Sequence, residues 1–379
     1  MRACIKSSSI SLSSDVHERT GDDFSPKRRG DRRLEKPLRF VLRLPRTVKR
    51  MSKRNKWWKE LLAGGAGLAA LATVNFVAAR RRKTADPPAE LFGGEVEFYG
   101  WRHGGIIYRL AGLESTPPVV FVHAILAGAS SFMWRRNFAA LAERFRVYAP
   151  DLLGFGFSDK PPTAPYSADL YVELLSDFLR DVVRRPAHLV ASSLSAAYAV
   201  RVADERPEFV LSLTLVSPLG IDAFHERPGM TGAAFYGLLH SPVLGTSFYN
   251  VIASERSLRD HAHRYLYYDR DMVTPRLVAH HYAMSHQPGA QHAMTAFLSG
   301  YLNCDVRANF ARLIQPATLI WGREDRSNPP ARAGIWLRLN PRARVVVFDR
   351  ARLMVQEEQA EAFNTLLHEE FARKSAVAA

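Results

Sequence analysis

From position 293 to 367 this chain has no histidine. Imidazole is the side chain that ordinarily moves protons near neutral pH, so that stretch supplies no general base of the usual kind. Cysteine is nearly absent as well. Cys4 and Cys304 stand alone, on opposite sides of an apolar run, which excludes a disulfide framework and a cysteine-based metal cluster. Excess charge is missing from most of the chain. The 379 residues carry 52 Lys/Arg and 37 Asp/Glu, but residues 1–50 hold 14 basic against 6 acidic and residues 51–83 hold 8 against 1. That leaves 30 of each for 84–379, a neutral body. With no nucleic-acid-binding motif or regular aromatic interleaving among the N-terminal charges, nucleic-acid binding is set aside. A basic tail beside a membrane surface fits the asymmetry better.

Residues 1–50 are rich in Ser, Arg, Lys and Asp, with only short apolar runs, so they read as a disordered basic extension. Six acidic residues argue against a transit peptide, and Met51 is an alternative start. Within 51–83, the 19 residues from Leu61 to Ala79 carry no charge. At about 1.5 Å per residue they reach about 28 Å, enough to cross a hydrocarbon core. Trp57 and Trp58 precede them as interfacial anchors do, and Arg80-Arg-Arg-Lys83 follows directly, which disfavours signal cleavage. The expectation is a membrane-associated protein with a single-pass N-terminal anchor. A surface-bound helix and a cleaved signal stay open, because Gly and Ala add little hydrophobicity and Asn75 is costly in lipid. Flanking charges balance, so orientation is not readable. Residues 84–94, with Pro87-Pro88, form a linker.

The folded domain is expected at 95–379. Glu95–Trp101 alternates and pairs across the His103-Gly-Gly105 turn with Ile106–Leu110. Short apolar runs, the pattern of strands buried on both faces, follow at Pro118–His123, Phe145–Ala149, His188–Ala191, Leu211–Val216, Ala317–Trp321 and Ala343–Phe348. Helix-period segments such as Met133–Glu143, Ser167–Val183 and Leu194–Glu205 lie between them. The fold class is therefore α/β: a doubly wound, mostly parallel sheet of about eight strands flanked by helices. Residues 217–310 interrupt the alternation and are too long for a loop. They read as an inserted helical cap over the carboxyl ends of the strands, where open α/β sheets bind ligands. No Gly-rich phosphate loop follows the first strand, so no nucleotide cofactor is expected.

At Ala191-Ser-Ser193-Leu-Ser195 a buried strand runs through a turn into a helix of small residues. A nucleophile elbow needs this arrangement: the exposed side chain sits on a strained turn, and residues two before and two after must be small. Several motifs then agree. His123-Ala-Ile-Leu, Asp151-Leu-Leu-Gly-Phe-Gly-Phe-Ser158, Trp321-Gly-Arg-Glu-Asp325 and Glu358-Gln-Ala-Glu-Ala-Phe-Asn364 together resemble the α/β-hydrolase fold family over about 92–375. The resemblance implies Ser193 as nucleophile, Asp325 as the orienting acid, and the N–H groups of Ile125 and Leu194 as the oxyanion hole. His123 would support loop geometry. The family's histidine, counted back from Phe363 and Glu358, falls at Leu353, or at Arg352 with a one-residue slip. Leu353 cannot carry a proton and Arg352 stays protonated. Asp325, without an imidazole, is left to pair with Arg352 as a structural salt bridge.

A serine hydroxyl without a base is a weak nucleophile at neutral pH. His281, His286 and His292 lie in the cap, and each reads as a packing or surface residue rather than the base. His280-His281 and His286-x5-His292 lack a third ligand, so no metal is expected. Two functions remain. One is esterase- or lipase-like hydrolysis of an apolar small-molecule ester through Ser193. The other is a catalytically impaired relative that keeps its pocket for an apolar ligand or a protein partner.

Overall fold

The computed structural model describes residues 92–375 and, ahead of them, residues 67, 69–73, 75 and 76. The expected extension 1–50, most of the anchor region 51–83 and residues 84–91 of the linker lie outside the described residues. Eight strands form one sheet: β1 (Glu95–Trp101), β2 (Gly104–Ala111), β3 (Pro118–Val122), β4 (Arg146–Pro150), β5 (Ala187–Ser192), β6 (Val210–Val216), β7 (Ala317–Gly322) and β8 (Arg344–Phe348). Their spatial order is β1-β2-β4-β3-β5-β6-β7-β8. The β1–β2 and β2–β4 pairs are antiparallel and every later pair is parallel.

The two-residue period of the strands builds two cores. Val120 and Val122 of β3 join Leu189, Leu213 and Trp321 on one face, against Tyr171 and Tyr198. Val119 and Phe121 point the other way, with Val190 and Ile320, against Trp134, Phe363 and Phe371. Phe121 stacks on Trp134 with centroids 4.7 Å apart. Every residue of β3, β5 and β7 is buried, as continuous apolar runs require. Ala343–Phe348 differs from expectation. It is the sheet's edge, paired only with β7, so its core Arg344–Phe348 has no buried residue.

The body helices are α1 (Phe138–Ala142), α2 (Ala168–Phe178) and α3 (Ser195–Glu205). Ser167 caps α2, its hydroxyl accepting from the Leu170 N–H at 3.2 Å, with Asp169 in the first turn. Between β6 and β7 come α4 (Met230–Leu239), α5 (Leu244–Ile252), α6 (Glu255–His261), α7 (Pro275–Ser285), α8 (Gln291–Leu298) and α9 (Arg307–Arg312). Thr274 and Pro275 start α7 in the usual way, cap then proline. The first five make the helical insertion. Phe310 of α9 instead meets Trp336 of α10 (Ala333–Leu339) edge to face at 4.8 Å. The body thus resumes inside the stretch read as cap. The chain closes with α11 (Val355–Glu358) and α12 (Ala360–Ser375).

Among the described residues no helix is long and apolar enough to cross a membrane. The described part of 61–79 is helical, and Asn75 is not left to lipid. Its amide donates to the Val243 carbonyl (3.2 Å) and the Ser247 hydroxyl (3.0 Å), and its oxygen accepts from Asn250 (3.0 Å). Those partners lie at the start of α5 and within it.

Candidate active site

Three turns at the carboxyl ends of the strands converge here. After β5, Ser193 takes a left-handed backbone (φ +57°), a conformation that costs a non-glycine residue about 1–3 kcal/mol and persists only where its surroundings enforce it. They do so through the main chain. The Ser193 N–H donates to the Val216 carbonyl at 2.8 Å, and its own carbonyl accepts from Leu219 at 3.3 Å and Ala196 at 3.2 Å. Ala191 and Ser195, two residues either side, are fully buried. Ser195 does more than stay small. Its hydroxyl donates to the His123 carbonyl at 2.6 Å, tying the start of α3 to the loop after β3.

That second loop carries Ile125. His123 is a support, with both ring nitrogens engaged: Nε2 accepts from the Leu152 N–H at 2.9 Å and Nδ1 lies 2.8 Å from the Ala124 carbonyl. Complete burial pushes its pKa down, so it stays neutral. Asp151 braces the loop from behind. It accepts from the N–H groups of Ser131 at 2.6 Å and Phe157 at 2.8 Å. Gly156 is obligatory there, since a Cβ would sit 2.1 Å from the Asp151 carboxylate. Among the described residues, the N–H groups of Ile125 and Leu194 donate to no other protein group.

Asp325, in the loop after β7, is buried and crowded with donors. Oδ1 accepts from the Ser327 N–H (2.9 Å), the Ser327 hydroxyl (2.7 Å) and the Asn328 N–H (3.0 Å). Oδ2 accepts from the Ser217 hydroxyl at 2.9 Å. Ser217 follows β6, is fully buried and is itself left-handed (φ +44°). The sequence reading does not single it out, because a serine after a strand carries no signal of its partner. The serine elbow and Asp325 are thus linked through Val216 and Ser217.

The loop after β8 overturns one expectation. Arg352 does not pair with Asp325. Its guanidinium donates to the carbonyls of His263 (2.6 Å), Arg264 (3.0 Å) and Tyr267 (2.9 Å), the turn that follows α6 in the cap. All three carbonyls are met by one terminal nitrogen, Nη1, while the buried Nε finds no partner, so the cation is held by the ends of main-chain dipoles and not by a carboxylate. Glu358 fixes the same loop, accepting from the N–H groups of Arg352 (2.8 Å), Tyr268 (2.7 Å) and Asp269 (2.9 Å). Leu353 is buried in the apolar cluster with Val216 and Ile320.

Among the described residues no hydrogen bond joins an imidazole to the Ser193 hydroxyl. His280 reaches Ser130 (3.3 Å), His281 the Gly128 carbonyl (3.2 Å), His286 the Tyr282 carbonyl (2.9 Å), and His188 Ser212 (2.7 Å). His292 sits near His240, its pKa lowered by burial. Nor is any group of three His, Cys, Asp or Glu among them placed to hold a metal.

Residues 117–360 match the family model described as the alpha/beta hydrolase fold. This chain belongs to that family. A 2-hydroxy-6-oxo-2,4-heptadienoate hydrolase from Pseudomonas putida is 29% identical over 276 residues, 70% of this chain and 93% of the relative. A 2-hydroxymuconate semialdehyde hydrolase, also from Pseudomonas putida, is 30% identical over 239 residues, 61% of this chain and 79% of the relative. Among solved structures, a meta-cleavage product hydrolase superposes with a TM-score of 0.60 at 26% identity, covering 73% of this chain and 98% of its own. In this member of the family, the elbow and the Asp325 loop stand while a leucine fills the place counted for the histidine.

Proposed function

We propose that this α/β-hydrolase-fold protein binds an apolar carbonyl compound at the Ser193 elbow and turns it over slowly, for want of a general base. The observation that carries this reading is the state of Asp325. Its Oδ2, the oxygen outside the Ser327–Asn328 turn, accepts from Ser217, and among the described residues no imidazole bonds to either oxygen of Asp325. In this reading Ser193 meets the ligand carbonyl, Ile125 and Leu194 offer N–H groups to its oxygen, and Asp325 holds Ser217 rather than a catalytic partner. Loss of a triad member leaves roughly 10³–10⁴-fold catalysis over water from the oxyanion hole and binding alone.

A second reading, an active hydrolase of apolar small-molecule esters, is favoured by the elbow itself, whose strain is retained at Ser193. The relatives' names add hydrolysis of 2-hydroxy-6-oxo-dienoates as a substrate class to assay beside esters. A fluorophosphonate probe separates the two readings. Little labelling of the full chain, with a shift in melting temperature on adding a medium-chain alkyl methyl ketone, supports the impaired binder. Rapid labelling that vanishes in Ser193→Ala, with multiple turnovers of 4-nitrophenyl butyrate, supports the active enzyme and ends the first reading.

A further inference from the structure

The cap contains 25 consecutive residues, Gly229 to Ala253, without a single Asp, Glu, Lys or Arg. They form the α4–α5 helical pair, and a pair so free of charge is normally enclosed. This one is not. Leu239 is the only buried residue of α4, and α5 buries only Gly245 and Tyr249. Met230 is 90% exposed, Val251 69% and Leu238 50%, with Leu244 and Phe248 also open to solvent. On α5 the exposed Leu244, Phe248 and Val251 recur at four and three residues, one stripe of the helix. Phe235 meets Phe248 edge to face at 6.0 Å, joining the stripe to α4. Contiguous apolar surface of this kind marks a contact site rather than a solvated face.

What covers it is indicated by the neighbour already seated on α5. The described helical residues between 67 and 76 belong to the uncharged run 61–79, and Leu71 and Phe76 are exposed beside the cap. Asn75 is the one amide in that run. Its two donors and its oxygen are all engaged by Val243, Ser247 and Asn250. The amide that would be costly in a hydrocarbon medium is therefore satisfied by the cap before any lipid is met. In the sequence, Lys53, Arg54, Lys56 and Lys59 precede the run and Arg80 to Lys83 follow it, the charge pattern of a segment that meets anionic headgroups.

We infer that the α4–α5 pair is a lipid-docking face. The cap lies on an anionic bilayer with the stripe of α5 and the Met230 end of α4 in the interface, so that a ligand leaving the bilayer meets the cap first. This inference stands apart from the reading of the active site, because it concerns location and not turnover.

The test uses the full chain with Cys4→Ser and a nitrobenzoxadiazole dye on Val251→Cys, Cys304 being buried. Vesicles of phosphatidylcholine and phosphatidylglycerol should shift the emission to the blue and raise it, and nitroxide-labelled acyl chains should quench it. The same dye on Ile314→Cys, exposed but outside the pair, should not respond. Met230→Glu with Val251→Glu, at positions too exposed to affect folding, should weaken partition onto vesicles on the order of tenfold or more. A Val251 dye that stays unchanged while the chain floats with the vesicles would overturn the inference, leaving the N-terminal run as the sole attachment. A shift that follows protein concentration without lipid would overturn it in favour of a second copy.

Discussion

Two turns at the carboxyl ends of the strands, one after β5 and one after β8, differ in what they carry. After β5 everything a nucleophile elbow needs is kept: the left-handed serine, the small flanking residues, and main-chain bonds to β6. After β8 only the scaffolding is kept. Gly322 still lets the loop pass so close that a Cβ would lie 2.2 Å from the Ala351 carbonyl, and Glu358 still holds the Arg352 N–H. Where the sequence count puts the proton-moving side chain stand Arg352 and Leu353, neither of which can act as a base. The difference teaches that turn geometry and proton transfer are carried by separate atoms. Main-chain bonds preserve the first whatever side chain stands at the turn, whereas the second rests on one imidazole.

If that separation is right, restoring one side chain has the largest effect. Leu353→His combined with Ser217→Gly, which frees the outer oxygen of Asp325 and suits a φ of +44°, should raise fluorophosphonate labelling of Ser193 by about 100-fold or more. Leu353→His alone should gain less, because Ser217 still occupies Asp325. Equal labelling in the double variant and the unaltered chain would mean that the β8 turn has lost its geometry as well as its base.

Next in size is the structural role taken on by the β8 turn. Arg352→Ala leaves three carbonyls of the cap without their donor and should cost about 2–4 kcal/mol, read as a lower urea midpoint. A change of a few tenths would show that water replaces the guanidinium without loss, and the turn would then have no structural claim on its arginine.

The smallest effect is a pH dependence on the elbow's side, where the loop carrying Ile125 packs against α7. Burial pushes the His281 pKa down to about 4 from an ordinary value near 6.5. The unfolded chain therefore binds a proton at a higher pH than the folded one. Stability from this group is full above about 6.5, falls as the pH drops below it, and levels off below about 4. His281→Asn, which keeps a donor for the Gly128 carbonyl, should flatten melting temperature against pH across that window. Parallel curves for the two proteins would assign the acid sensitivity elsewhere.

Much of the fold was legible in the residues. Period-two alternation and continuous apolar runs located all eight strands, and Ser167 announced a helix start that the structure keeps. What could not be read was which strand ends the sheet. An edge strand and a central one share an apolar sequence, and only pairing distinguishes β8 from β3. At the candidate site, the turn at Ser193, the loop with Asp325 and the lack of histidine from 293 to 367 were visible because each is read from residue type and local pattern. Ser217 was not, since nothing in a lone serine after a strand announces which carboxylate it will meet across 108 positions.

By itself the sequence determined an α/β-hydrolase scaffold, a serine turn at Ser193 and a stretch from 293 to 367 without histidine. Local periodicity and side-chain identity suffice for those. The tertiary structure alone decided where the unsatisfied groups went: Arg352 to the cap carbonyls, Ser217 to Asp325, Asn75 to α5. Such partners are chosen by distance in space, and donors and acceptors far apart in the chain are matched only once the core has brought them together.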